Sequence, residues 1–263
     1  MALEKYGMTA NYHTHTARCH HADGEEREYV EAAIEAGFEI LGFSDHSPYF
    51  YSHNPDYIPG YKMLVGEAEG YFNSILSLRE EYKNDIDIRV GVEMEYYPDD
   101  FDRTYELIKS LGCEYCILGQ HFLISEDIKG STPSSCSTYD VERMEKYISV
   151  CTEAMKTGKF IYMAHPDVLH FVGDKDYYAD AARRLCEAAK SYNMPIELNL
   201  LGIRDGRYYP NEDFWRIAGE VGGEVIIGVD AHTPKAFLKA KQYKIANDIV
   251  ERFGLNLIRT LTI

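Results

Sequence analysis

His13 and His15, in Asn11-Tyr12-His13-Thr14-His15-Thr16, are two imidazoles one residue apart. Asp230 and His232, in Gly228-Val229-Asp230-Ala231-His232, repeat that spacing near the other end of the 263-residue chain. Alternate side chains of a β-strand share a face, so each pair can reach one ion from one strand. Between them, single residues close apolar runs: His46 in ILGFSDH, Glu93 and Glu95 in GVEMEYY, His121 in LGQHF, His165 in MAHPD. His20 and His21 are adjacent and cannot both point the same way; spacing alone does not choose between them. Asp45 reads as an acceptor that orients a ligand imidazole, and His53, in the polar loop SHNPDY, as solvated surface. A carboxylate aimed into a partly buried site is costly unless paired or metal-bound, so one of Glu93 and Glu95 is expected to bridge two ions. Seven His and two carboxylates are too many for one ion, and two or three follow. Mixed imidazole and carboxylate ligands suit Zn²⁺, Mn²⁺ or Fe²⁺ better than Ca²⁺ or Mg²⁺. Clustered divalent ions generate hydroxide near neutral pH and clamp the oxygens of an in-line displacement, so the expected chemistry is phosphate-ester hydrolysis.

Positioning such a set takes many strands that end on one rim. The chain repeats an amphipathic helical stretch, a Gly or Asn suited to the position after a helix, and a short β-branched or aromatic run. Helical stretches are expected at 29–36, 64–83, 105–111, 142–157, 179–192, 214–221 and 236–253. Each leads into a strand, and MTANYH supplies the first. Alternation of this kind predicts βαβ units and a parallel sheet. Eight candidate strands suit a closed barrel better than an open doubly wound sheet, because nearly every strand ends in a polar coordinating residue, Asn199 included. Residues 1–263 read as a single barrel domain with no linker and no internal repeat.

With 45% hydrophobic and 27% charged residues the chain is of ordinary globular composition. Its 27 Lys and Arg against 43 Asp and Glu give a net charge of −16. That field disfavours a nucleic-acid duplex, while bound cations would still admit a small-molecule phosphate ester. Residues 1–10 lack an apolar signal segment and no window is long enough to span a membrane, so a cytoplasmic location is expected. The six Cys read as free thiols of a reducing compartment, Cys113 and Cys116 as small core residues. Oligomeric state is not legible from the composition.

The segments HTHTARCHHADG (13–24), FSDH (43–46), GVE (91–93), GQH (119–121), AHPD (164–167) and GVDAHTP (228–234) resemble, in order, the motifs of the PHP (polymerase and histidinol phosphatase) superfamily. The resemblance spans essentially the whole chain. The length and the segment Glu197-Leu198-Asn199-Leu200-Leu201-Gly202-Ile203-Arg204 are most similar to its histidinol-phosphate phosphatases of histidine biosynthesis. It implies an α/β fold, a distorted (β/α)7 PHP-type barrel with the metal site at the C-terminal ends of the strands, so that an eighth strand at 256–262 would be an appendage. It also implies three divalent transition metal ions. The first would take His13, His15, Glu93 and Asp230; the second Glu93, His121 and His165; the third His21, His46 and His232, the motif selecting His21 over His20. A hydroxide between the first two ions would attack phosphorus, and Arg204 would bind the phosphate. Relatives tend to carry a second basic residue after the AHPD segment; here that place falls at His170. Asp230, His232 or a metal-bound water are candidates to protonate the leaving alkoxide. Glu95 or a loop Asp could meet the substrate amine.

The expected activity is therefore that of a metal-dependent phosphomonoesterase acting on L-histidinol phosphate. Alternatives are another PHP substrate, such as a nucleotide, a bisphosphate or phosphotyrosine, or a non-catalytic, metal-stabilised binding module.

Overall fold

The computed structural model describes residues 3–6 and 8–263; Met1, Ala2 and Gly7 of the amino-terminal decapeptide lie outside the described residues. The strands are β1 (Ala10–Asn11), β2 (Ile40–His46), β3 (Asp87–Met94), β4 (Tyr115–Leu118), β5 (Tyr162–Met163), β6 (Ile196–Asn199), β7 (Glu224–Gly228) and β8 (Asn256–Leu257). Each pairs in parallel with the next, giving one curled sheet in chain order. The α-helices are α1 (Glu26–Ala36), α2 (Ala68–Glu81), α3 (Phe101–Ser110), α4 (Val141–Lys156), α5 (Lys175–Ser191), α6 (Leu200–Asp205), α7 (Glu212–Val221) and α8 (Ala240–Phe253).

The helices start and stop where local chemistry requires. Asp140, Asp174 and Asn211 cap α4, α5 and α7 by accepting from backbone N–H groups of the first turn. Gly37 ends α1 in the left-handed region at φ 94°. Two stretches depart from expectation. The helix expected over 236–253 is broken at Lys239 (φ −85°, ψ 80°) into a 3₁₀ turn, Pro234–Leu238, and α8. The short helix α6, capped by Asn199, had no counterpart in the periodicity.

The first strand, expected over 8–13, pairs regularly only at Ala10 and Asn11. Beyond it the Asn11 side chain takes over the ladder. Its Nδ2 donates to His13 O (3.1 Å) and Thr14 Oγ1 (2.8 Å), and its Oδ1 accepts from Val229 N (2.8 Å). A bridge between Thr14 and Ala231 then joins the ends of β1 and β7, with His15 N donating to Ala231 O at 2.9 Å. β8 pairs with β7 through Glu224 and Val225, at the end opposite the bridge. The curled sheet is thus a distorted seven-stranded barrel with β8 appended, as the resemblance implies.

Two apolar clusters hold it. The larger lies between the sheet and the helices; the smaller, with Tyr12, Tyr115, Ile117, Tyr162, Ala164 and Ile226, fills the barrel interior. Alternation carries each inward-facing row upward from that filling: Ile226 and Gly228 on β7 with Asp230 just past it, and Tyr115 and Ile117 on β4 with Gly119 just past it. Apolar floor gives way to polar rim.

Candidate metal centre

β3 brings Glu93 to the middle of that rim, 1% exposed. Its two oxygens face different partners. Oε2 lies 3.4 Å from His13 Nε2, 3.6 Å from His15 Nε2 and 3.2 Å from His46 Nδ1. Oε1 lies 2.8 Å from His165 Nε2 and 3.5 Å from His121 Nε2. This is the disposition of a carboxylate that can bridge two ions. Asp230 Oδ1 closes one side, 3.2 Å from His15 Nε2 and 3.6 Å from His13 Nε2. On the outer side His21 Nε2 and His232 Nε2 approach to 2.9 Å.

Ligand atoms lie within 4.8 Å of one another in each of the sets His13–His15–Asp230, His13–Glu93–His165, His15–His46–Glu93 and His21–His46–His232. These sets bring together eight of the nine expected ligands, and the ninth, His121, reaches the group through Glu93 Oε1, 3.5 Å from its Nε2. His20 turns outward to Glu67, and His53 to Asp99 at the surface.

These residues fit a cation cluster by the state of their atoms. His13 Nε2, His15 Nε2, His46 Nδ1, Glu93 Oε2 and Asp230 Oδ1 are all buried without a hydrogen-bond partner. Buried polar atoms are rarely left so, and here they share one small volume. His165 (φ 29°) and Asp230 (φ 50°) occupy the left-handed region, a strain that costs about 1–3 kcal/mol in a non-glycine residue and persists where surrounding structure enforces it.

The faces turned away from the cluster are held by acceptors. His13 Nδ1 meets Glu197 Oε1 at 2.8 Å, His15 Nδ1 meets Asp45 Oδ1 at 3.4 Å, and His121 Nδ1 meets Glu95 Oε1 at 2.9 Å. His21 Nδ1 meets the Cys19 carbonyl at 2.8 Å. Such partners fix the tautomer and leave the other nitrogen free for a metal. Asp45 takes the orienting role read from its position, and Glu95, also engaged by Lys62, is withdrawn from any substrate amine. Glu197 escaped notice in the sequence; its two-residue spacing from Asn199 on an apolar strand was the available signal.

Charge is arranged to suit. Burial opposes ionisation of Glu93, but His121, His13 and His46 outweigh it and hold the carboxyl well below its ordinary range. Asp230 is held down likewise, burial being overcome by His13, His15 and His232. Burial works against a charged His13 too, yet Glu197, Asp230 and Glu93 raise it well above the ordinary imidazole value. Burial and then His232 push His21 down to about 4, a neutral ring ready to coordinate. Protons on the raised rings are those that metal binding would release.

The cluster floors a cavity of about 440 Å³ whose lining includes Tyr61, Phe122, Leu201, Asp205, Arg207, Tyr208 and Tyr209. Two residues expected at the substrate lie outside that lining. Arg204 does not reach the cavity: its guanidinium donates to Val229 O (3.2 Å), Gln242 Oε1 (3.1 Å) and Asp230 O (3.1 Å). Gly206 (φ 63°) ends α6 and reverses the chain, so the arginine at the mouth is Arg207. His170 does not line the cavity either; its ring stacks on Tyr208 at 3.9 Å, behind the wall.

A family model described as PHP domain matches residues 11–200. The chain is 26% identical over 229 residues to a probable histidinol-phosphatase of Deinococcus radiodurans, which covers 84% of this chain and 85% of that one. It is 31% identical over 145 residues to the histidinol-phosphatase of Bacillus subtilis, covering 53% and 52% respectively. A crystal structure of histidinol phosphate phosphatase from Lactococcus lactis, complexed with zinc, L-histidinol and phosphate, superposes with a TM-score of 0.72 at 20% identity over 97% of each chain. That likeness is one of fold. The matched family region spans well over half of the chain and contains the strands that carry His13 through His165, and the chain belongs to the PHP domain family.

Proposed function

We propose that this protein is a metal-dependent phosphomonoesterase that hydrolyses L-histidinol phosphate to L-histidinol and phosphate, in histidine biosynthesis. The observation that carries the reading is Glu93, shared between two groups of imidazoles on the floor of a cavity of small-molecule size. The names of the Deinococcus radiodurans and Bacillus subtilis relatives support the substrate. So does the crystallised Lactococcus lactis protein, with zinc, L-histidinol and phosphate.

We assign three divalent transition metal ions to the site. His13, His15, Glu93 and Asp230 would hold the first, Glu93, His121 and His165 the second, His21, His46 and His232 the third. Such ions supply Lewis acidity and a nucleophile at neutral pH. The chain's own residues do the rest. Arg207 offers the phosphate a planar, bidentate donor, and Asp205 beside it offers the substrate amine a carboxylate. The stacked pair Tyr61 and Phe122, 5.8 Å between centroids, presents aromatic surface to an imidazole. Asp230 and His232, at the rim, are the candidates to return a proton to the leaving alkoxide. Six free cysteines support a reducing, cytoplasmic setting.

The test is phosphate release from L-histidinol phosphate beside a nucleotide, a 3′,5′-bisphosphate and phosphotyrosine, with and without chelator. Preference for histidinol phosphate, abolished by chelation and by His121→Ala, is expected. Chelator-resistant turnover, or a large preference for a nucleotide, would reject the assignment.

A further inference from the structure

Behind His121 lies a buried ionic file that the chemistry described so far does not use. Lys62 is wholly buried, an unusual state for a lysine. Its Nζ is hydrogen-bonded to Glu95 Oε2 and lies 2.8 Å from Glu126 Oε1. The other oxygen of Glu95 is the one that meets His121 Nδ1. Glu126 is held in turn by the hydroxyls of Tyr97 (2.9 Å) and Tyr51 (3.1 Å), and the Lys62 ammonium sits 5.1 Å from the Tyr49 ring centroid.

The three charged residues come from three separate segments. Lys62 ends the long loop after β2, Glu95 follows β3, and Glu126 belongs to the long loop after β4. Their neighbours meet as well: Tyr61 precedes Lys62, Phe122 follows His121, and these two rings stack with 5° between their planes. The two loops are therefore joined twice, once by charge behind His121 and once by aromatic contact above it. A buried ion pair seldom adds net stability over an apolar replacement, because desolvating its members is costly. What this file does supply is geometry. Removing the lysine would leave two buried carboxylates without their shared counter-charge, and Glu95 held against the imidazole by the His121 contact alone.

We propose that Lys62 is a positioning residue for the metal centre: by holding Glu95 it fixes the His121 ring with Nε2 toward Glu93, and it sets the Tyr61–Phe122 cover over the same point. This rests on reading the site as a metal centre. The test is chelator competition on the zinc-loaded protein, for the unsubstituted chain, Lys62→Met, Glu95→Gln and Ile148→Val, the last a core change in α4 remote from the site. In Lys62→Met and Glu95→Gln one ion is expected to dissociate at about 10–100-fold lower chelator concentration, the usual effect of losing an outer-shell partner. Ile148→Val is expected to retain all ions. Glu95→Gln is nearly isosteric and carries the test alone if Lys62→Met does not fold. Unchanged ion affinity in the folded site variants, or equal loss in Ile148→Val, overturns the inference while leaving the proposed function intact. An unsubstituted chain that binds no zinc overturns both.

Discussion

Gly119 lies so close against the Glu93 carboxylate that a methyl group on its α-carbon would collide with Oε1 and the carboxyl carbon. The glycine of the GQH segment is thus the space that lets Glu93 stand upright between its imidazole partners. Gly119→Ala is expected to tilt the carboxylate and lower both metal retention and kcat by about 100-fold or more, comparable with the larger outer-shell effects. Metal analysis and steady-state kinetics on the folded variant check this. Ordinary ion content would show that the carboxylate does not need that space.

Glu197 holds His13 Nδ1 and also accepts from His165 N at 3.2 Å and from Asn199 Nδ2 at 2.9 Å. Glu197→Gln keeps the shape and removes the charge. Metal affinity is expected to fall by about 10–100-fold; isothermal titration with zinc measures it.

Arg204 and Arg207 separate by function. Arg204→Ala is expected to destabilise the protein by about 1–3 kcal/mol, since it strips donors from the Val229 and Asp230 carbonyls, and to leave KM nearly unchanged. Arg207→Ala is expected to raise KM at least about tenfold, the loss of a charge-assisted contact, with little effect on stability. Urea unfolding and kinetics on both variants distinguish this from the opposite assignment.

Glu145 ties α4 to α5 through a bidentate contact with Arg184, Oε1 to Nη2 at 2.6 Å and Oε2 to Nη1 at 2.8 Å, joined by the Tyr177 hydroxyl. Arg184, then Tyr177, bring the carboxyl down to about 2 from an ordinary 4.5. A depressed folded-state value means stabilisation that is present above pH 4.5 and lost as pH falls toward 2. The pair is largely solvated, so Glu145→Gln should cost no more than about 1 kcal/mol at pH 7. The difference from the parent should shrink between pH 4.5 and 3. A gap that does not narrow in urea unfolding at those pH values would contradict the pairing.

Apart from His21, the candidate ligands were legible because they stand at or just past the ends of apolar strands, where a lone imidazole or carboxylate stands out; His21 follows the 3₁₀ turn Ala17–Cys19 and only the motif selected it. Barrel closure brought His13 and Asp230 together from opposite ends of the chain, as parallel βαβ order requires. Side-chain direction in short connections was not legible. Arg204 and Arg207 are three residues apart, and only the six-residue helix ending at Gly206 decides that the second faces the cavity. Nor could spacing reveal Lys62 and Glu126, whose meeting depends on the path of two long loops. The shortened β1 reflects Asn11, whose side chain replaces ladder bonds in a way no periodicity records.

Metal content tests most directly the proposed joining, by Glu93, of two groups of imidazoles into one multi-ion centre. Purified protein loaded with zinc and freed of excess is expected to hold more than one ion per chain, and Glu93→Gln to lose more than one of them together with phosphatase activity. A chain that holds a single ion, or a Glu93→Gln variant that keeps the full complement, would contradict it.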